Sequence, residues 1–66
     1  MPDISRPTFV FELGEQVLLS LSREKGEVIG RAHYTYAEPG YLIRYVAADG
    51  RQVEAWQTEN AVEIIP

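Results

Sequence analysis

Tyr41-Leu42-Ile43-Arg44-Tyr45-Val46-Ala47-Ala48-Asp49-Gly50-Arg51-Gln52-Val53-Glu54-Ala55-Trp56 is the stretch whose reading decides the fold. Tyr41 to Ala47 is dense in aromatic and β-branched residues, which fit a pleated, half-buried surface. Ala48-Asp49-Gly50 supplies an Asp-Gly hairpin signal, and Arg51 to Trp56 returns as the partner strand. Gln57 to Asn60 is polar and reads as one tight turn, after which Ala61 to Ile65 makes a last short strand. Strand, hairpin, strand, polar step and closing strand is how a small β-barrel ends.

Working back toward the N-terminus, Glu27 to Tyr36 is the longest strand candidate. A period of two puts Val28, Gly30, Ala32, Tyr34 and Tyr36 on one face, with Ile29, Arg31 and His33 on the other. Gly30 interrupts this strand, and an interior glycine often marks a bulge or a barrel corner. Pro39-Gly40 suits the centre of a type II turn. Val17 to Leu21 is a further apolar strand, and Ser22 to Gly26 is a charged loop closed by glycine. Phe9 to Leu13 begins the ordered chain, with Gly14-Glu15 as a turn, and residues 1–8 read as a flexible lead-in. The expectation is an all-β domain over residues 9–66, a five-stranded SH3-like barrel with one short 3-10 turn before its last strand.

Composition narrows the classes. With 66 residues there is room for one domain, and a chain this short buries only about 60% of the surface its unfolded form exposes. There is no cysteine, which removes disulfides and thiolate metal sites, and the single histidine, His33, cannot hold a metal unaided. Self-association is then the natural supplement to a small core. No apolar run approaches the ~20 residues of a membrane span, and no signal peptide is evident, so the expected setting is cytoplasmic with no membrane partner. Six basic and ten acidic residues give a net charge of −4, which disfavours nucleic acid unless Arg31, Arg44 and Arg51 gather on one face.

The usual catalytic motifs are missing. No phosphate-binding glycine loop and no His-Glu metal motif is present, and Ser20 or Ser22 with His33 reads as ordinary surface chemistry. The aromatic residues carry more information. Tyr34, Tyr36, Tyr41, Tyr45 and Trp56, with Arg44 and Arg51 beside them, are of the types enriched at interaction hot spots. About half of the aromatics are expected in the core and two or three on a binding face. Both faces of the Tyr41 strand are largely apolar, with Tyr41, Ile43 and Tyr45 on one side and Leu42 and Val46 on the other. That excess implies a covered sheet face.

Phe9 with Gly14-Glu15-Gln16-Val17, Gly26-Glu27-Val28-Ile29-Gly30, Thr35 with Pro39-Gly40-Tyr41, Val53 to Trp56 and Ala61 to Ile64 together resemble the type II, trimethoprim-insensitive dihydrofolate reductases. The resemblance implies one SH3-like barrel per subunit, assembled as a tetramer around a central pore that binds NADPH and dihydrofolate. In that family the pore strand reads Val-Gln-Ile-Tyr; here Val53 is kept and Glu54, Ala55 and Trp56 follow it. Leu19 stands where the family places a lysine that attracts the anionic ligands. Four copies of Glu54 in one pore would repel two polyanions. Small SH3-like proteins of phages and other mobile elements are similar in layout, through Gly30 to Ala32 and Tyr41 to Trp56.

These readings converge on a non-catalytic SH3-like protein-interaction module without cofactor or metal, self-associating as a dimer or tetramer. Its candidate binding residues are Tyr34, Tyr36, Tyr41, Arg44, Tyr45, Arg51 and Trp56. The alternative is an NADPH-dependent reductase using the pore strand Glu54-Ala55-Trp56. A nucleic-acid-binding barrel is the third reading.

Overall fold

The computed structural model describes residues 9–65, which form five antiparallel strands in one sheet and a single 3-10 turn. The strands are β1 (Gln16–Leu19), β2 (Lys25–Ala32), β3 (Gly40–Val46), β4 (Gln52–Thr58) and β5 (Val62–Ile64), and the 3-10 turn at Glu59–Ala61 precedes the last of them. Their order across the sheet is β4-β3-β2-β1-β5. The flexible lead-in read into residues 1–8 lies outside the described residues, as does Pro66. Among the described residues no helix is long and apolar enough to cross a membrane.

One core sits inside the sheet. Val17 and Leu19 of β1, Val28 of β2, Tyr41 and Ile43 of β3 and Val62 of β5 join Phe11 in a single buried cluster, with Phe9 and Tyr45 packed against it. Val62 and Ile43 belong to strands three positions apart in the sheet, so the sheet must curl for both to reach one core. Tyr41 is the centre of this packing. Its ring is fully buried between the edges of Phe9 and Phe11, with centroids 5.9 and 5.2 Å away. Its hydroxyl accepts the Val10 N–H at 3.0 Å and donates to Glu59 Oε1 at 2.7 Å. A buried phenol needs such partners, and here they tie the incoming chain and the 3-10 turn to β3.

Several boundaries differ from the sequence reading, each for a physical reason. The first strand stops at Leu19, because Arg23 N–H returns to the Leu19 carbonyl and closes a tight turn. Leu21 sits on that turn with 98% of its surface exposed. The left-handed residue of this connection is Arg23, at φ 64°. Gly26 therefore closes no loop; it lies within β2, buried against β3. β2 ends at Ala32, opposite Gly40, so Tyr34 and Tyr36 lie in the following loop instead of the strand. Gly40 is not among the positive-φ residues, which rules out the type II turn, and it opens β3. Gln57 and Thr58 extend β4 and leave only Glu59–Ala61 for the turn, so Trp56 is inside its strand and does not end it.

Two irregularities set the faces. The register between β2 and β3 shifts between Val28 and Gly30, the bulge that the interior glycine announced. Beyond it the pairs are Gly30↔Leu42, Arg31↔Tyr41 and Ala32↔Gly40. Val28 therefore points inward with Ile43, while Gly30 and Ala32 share the outer face with Leu42, and the single face expected from Val28 to Tyr36 does not exist. At the other end, Ala47 N–H bonds to the Arg51 carbonyl at 2.8 Å, enclosing three residues with Gly50 at φ 89°. This hairpin pairs Leu42 with Trp56, Arg44 with Glu54 and Val46 with Gln52.

Gly26 is a point of close approach, since a Cβ there would stand 2.6 Å from Ile43 Cγ2 and 2.9 Å from the Arg44 carbonyl oxygen. Gly26→Ala is expected to cost about 1 to 3 kcal/mol, read as a lower urea midpoint. Tyr41 gives a second expectation. Burial, with the hydrogen bond to Glu59 added, raises its pKa above the ordinary value of 10.0. The unfolded chain then loses this proton first, so the contribution to stability is complete below that value and is lost as pH rises through the raised folded pKa. Tyr41→Phe should cost about 1 kcal/mol near neutral pH and flatten this alkaline decline, both read by urea denaturation across pH.

Candidate functional site

The outer face of the β2-β3-β4 meander holds most of the exposed chemistry. Alternation along β3 sends Tyr41, Ile43 and Tyr45 inward and leaves Leu42, Arg44 and Val46 outside. Cross-strand pairing arranges these in rows: Gly30, Leu42 and Trp56 in one, then Glu27, Arg44 and Glu54 in the next. Val46 and Gln52 follow toward the hairpin. Val46 is 60% exposed, and Leu42 is half-buried beside the tryptophan.

Trp56 is the only tryptophan and is 55% exposed on this face. Its indole lies across two glycines: Cη2 is 3.7 Å from where a Gly30 Cβ would sit, and Cε3 is 3.8 Å from the Gly40 equivalent. Tyr34 Cε2 borders the same point at Gly40, at 3.6 Å. The Tyr34 and Tyr36 rings then stand 5.6 Å apart at an angle of 45°. Tyr36 is 84% exposed and Tyr34 is exposed beside it. The bulge, the two glycines and the β2-β3 loop thus build one shelf of three aromatic rings, none of them needed by the core.

Charge is organised beside this shelf. The Arg44 guanidinium pairs with Glu54 Oε2, at 2.9 Å from Nη2 and 3.0 Å from Nε, and Glu27 is its cross-strand neighbour on the other side. Each of the four arginines among the described residues has such a partner: Arg23 with Glu63, Arg31 with Glu12 and Arg51 with Asp49 complete the set. Ser20 and Arg23 together hold the exposed Glu63 carboxyl below its usual range. Glu38, in the loop that carries the tyrosines, accepts the Asn60 N–H at 3.3 Å.

Set against the sequence expectations, the structure divides the candidate residues. It brings together Tyr34, Tyr36, Trp56 and Arg44, with Leu42 and Glu54. Tyr41 is not on this face: its side chain is wholly buried and its hydroxyl is used internally. Tyr45 packs against the core from the inner side, and Arg51 sits at the hairpin, bonded to Asp49 at 2.8 Å. Three of the five expected aromatics are therefore exposed and two face inward. Arg31, Arg44 and Arg51 make no common basic patch. Arg31 lies inward with its guanidinium 4.5 Å over the Phe9 ring, Arg44 is at mid-sheet, and Arg51 is at a loop. Sequence reasoning missed Leu42, Gly30 and Gly40 as the support of the shelf. The Leu42↔Trp56 pairing was encoded in the length of the hairpin loop, since closure on Asp49-Gly50 alone would have set Leu42 against Gln57.

The residues that the resemblance assigns to the pore strand are placed as follows. Glu54 is held in its pair with Arg44, Ala55 is half-buried on the inner side opposite Ile43, and Trp56 belongs to the shelf. Leu19 is a core residue. A hollow of about 250 Å³ lies at the other end of the sheet, by Lys25, Arg44 and Gln52, and one of similar size lies between Leu21, Tyr45 and Gln57. The second is also lined by Ser22 and Glu24, and His33 lines neither. Ser20 and Ser22 lie on the β1-β2 turn, whereas His33 meets the edge of Phe9 at 6.2 Å. Among the described residues no three His, Asp or Glu side chains are grouped to hold a metal ion. Comparison of the chain with protein-family models, with curated proteins and with solved structures gives no match.

Because Trp56 is half in water and borders two glycines, Leu42 and the exposed Tyr34, Trp56→Ala should change folding stability by no more than about 1 kcal/mol. Urea denaturation followed by circular dichroism checks this. A much larger loss would assign the indole to the core.

Proposed function

We propose that the chain is a non-catalytic polypeptide-binding module of SH3-like form, and that the outer face of β2, β3 and β4 is where its partner docks. The observation that carries this reading is the shelf of Trp56, Tyr34 and Tyr36. Three aromatic rings stand exposed together in a domain too small to leave bulk outside its core without cost. Such rings offer large contact area at a low cost in ordering, and apolar clusters rimmed by polar groups mark interaction sites. The strand order, with a 3-10 turn before the last strand, is consistent with an SH3-like barrel. The half-buried Leu42 adjoins the rings on the same face, and the exposed Val46 lies beyond the charged row of Glu27, Arg44 and Glu54.

A photo-crosslinking amino acid placed at Tyr36 tests the reading in cells that express the chain. The expected result is a defined adduct that disappears when Trp56→Ala is added and that is not formed from the same group placed at Leu21. The mass of the adduct separates a second copy from a different polypeptide. Purified protein is expected not to oxidise NADPH with dihydrofolate. Turnover abolished by Glu54→Ala, together with absence of any adduct specific to Tyr36, would overturn the module and leave a reductase.

A further inference from the structure

We infer that the aromatic shelf takes an arginine side chain from a basic polypeptide, a deepening that rests on the docking reading above. The molecule contains its own version of the arrangement. Arg31 lies with its guanidinium 4.5 Å over the centre of the Phe9 ring, and its Nη1 is 3.4 Å from Glu12 Oε2. A ring face below and a carboxylate beside it satisfy the two needs of a guanidinium, the ring's negative face and a charge-assisted hydrogen bond. The outer face repeats these parts: an exposed indole, two phenol rings at an angle to each other, and Glu54 and Glu27 in the adjoining row. The cation of that row, Arg44, is bonded to Glu54. Lys25 precedes Glu27 along β2 and lines the same hollow, so the field that favours a cation at the rings is that of the chain's net charge of −4.

Charge also selects among occupants. The chain carries −4, and all four arginines of the described residues are neutralised by a carboxylate within 4 Å. A second copy would bring the same net negative charge to the shelf, and each of its four described arginines comes with its own carboxylate. A basic segment brings the missing cation and meets a field of the right sign. Arginine fits better than lysine because its planar group stacks on a ring while its edge still reaches a carboxylate.

Fluorescence anisotropy of a labelled hexa-arginine peptide tests this, with hexa-lysine and a neutral glycine-serine peptide alongside. Hexa-arginine is expected to bind, hexa-lysine several-fold more weakly and the neutral peptide not at all. Trp56→Ala and Tyr36→Ala should each weaken the arginine peptide roughly tenfold. Leu21→Ala, on the turn near the inward-facing Tyr45, should leave it unchanged, and circular dichroism should show all three variants folded. Equal binding of the two basic peptides, or binding indifferent to Trp56→Ala, would reduce the effect to general electrostatics and overturn the inference. Absence of binding by the unaltered chain would overturn it as well. So would a concentration-dependent dimer abolished by Trp56→Ala, which would give the shelf to a second copy. If the peptide fails while crosslinking at Tyr36 still yields an adduct with another polypeptide, only the arginine is lost and docking stands. If both fail, the docking face goes with it.

Discussion

The Tyr41 hydroxyl is the contact on which the rest of the architecture depends. It accepts a hydrogen bond from the Val10 N–H and donates one to Glu59, so one side chain of the central hairpin fixes both the entering segment and the 3-10 turn. That requirement points Tyr41 inward. With a side-chain period of two, Leu42, Arg44 and Val46 must then point outward. Slipping β3 by one residue would bury Arg44 and expose Ile43, so the phenol and its partners hold the register of the whole meander.

The bulge in β2 is the second device, and its effect is to exchange faces. Without it Gly30 would stand opposite Tyr41 and Ile29 opposite Leu42. With it, Arg31 comes to lie opposite Tyr41 and can cover Phe9, while the glycine moves to the outer face. A side chain at residue 30 would meet Leu42 Cβ at 3.1 Å and the rim of the indole at 3.7 Å. The glycine therefore lets the ring of Trp56 lie low against the sheet without being buried by it. The same local change that closes the core with a stacked arginine thus prepares the shelf outside.

Much of the fold was legible because the signals were local. The dense β-formers of Tyr41 to Ala47, the Asp-Gly hairpin, the interior glycine and the polar step before Val62 each act within a few residues, and each appears in the structure. The errors fall where a distant partner decides. The tight turn after Leu19 is closed by Arg23 in a left-handed conformation, which is unusual for a residue with a Cβ and invisible to a search for glycine. Gly26 resembles a loop residue, yet its smallness answers Ile43, 17 positions away in the chain. Tyr41 shows the same limit at the site. Nothing in its neighbours along the chain tells it from Tyr36, and only Val10 and Glu59, both remote in sequence, claim its hydroxyl.

Electrostatics explains why aromatic residues, and not the arginines, define the exposed chemistry of this chain. Ion pairs at the surface contribute little to stability, commonly below about 1 kcal/mol each. Their consequence here is one of pattern. By matching each described arginine to a carboxylate, the fold offsets these four positive sites, and ten acidic against six basic residues set the sign of the net charge. Arg44 is the clearest case. It stands between Glu27 and Glu54 and is bonded to the latter, while Glu27 lines a hollow that it shares with Lys25. On the proposed reading a flat cation is favoured at the shelf over a polyanion, because the ring face and the chain's net negative charge act on such a group in the same direction.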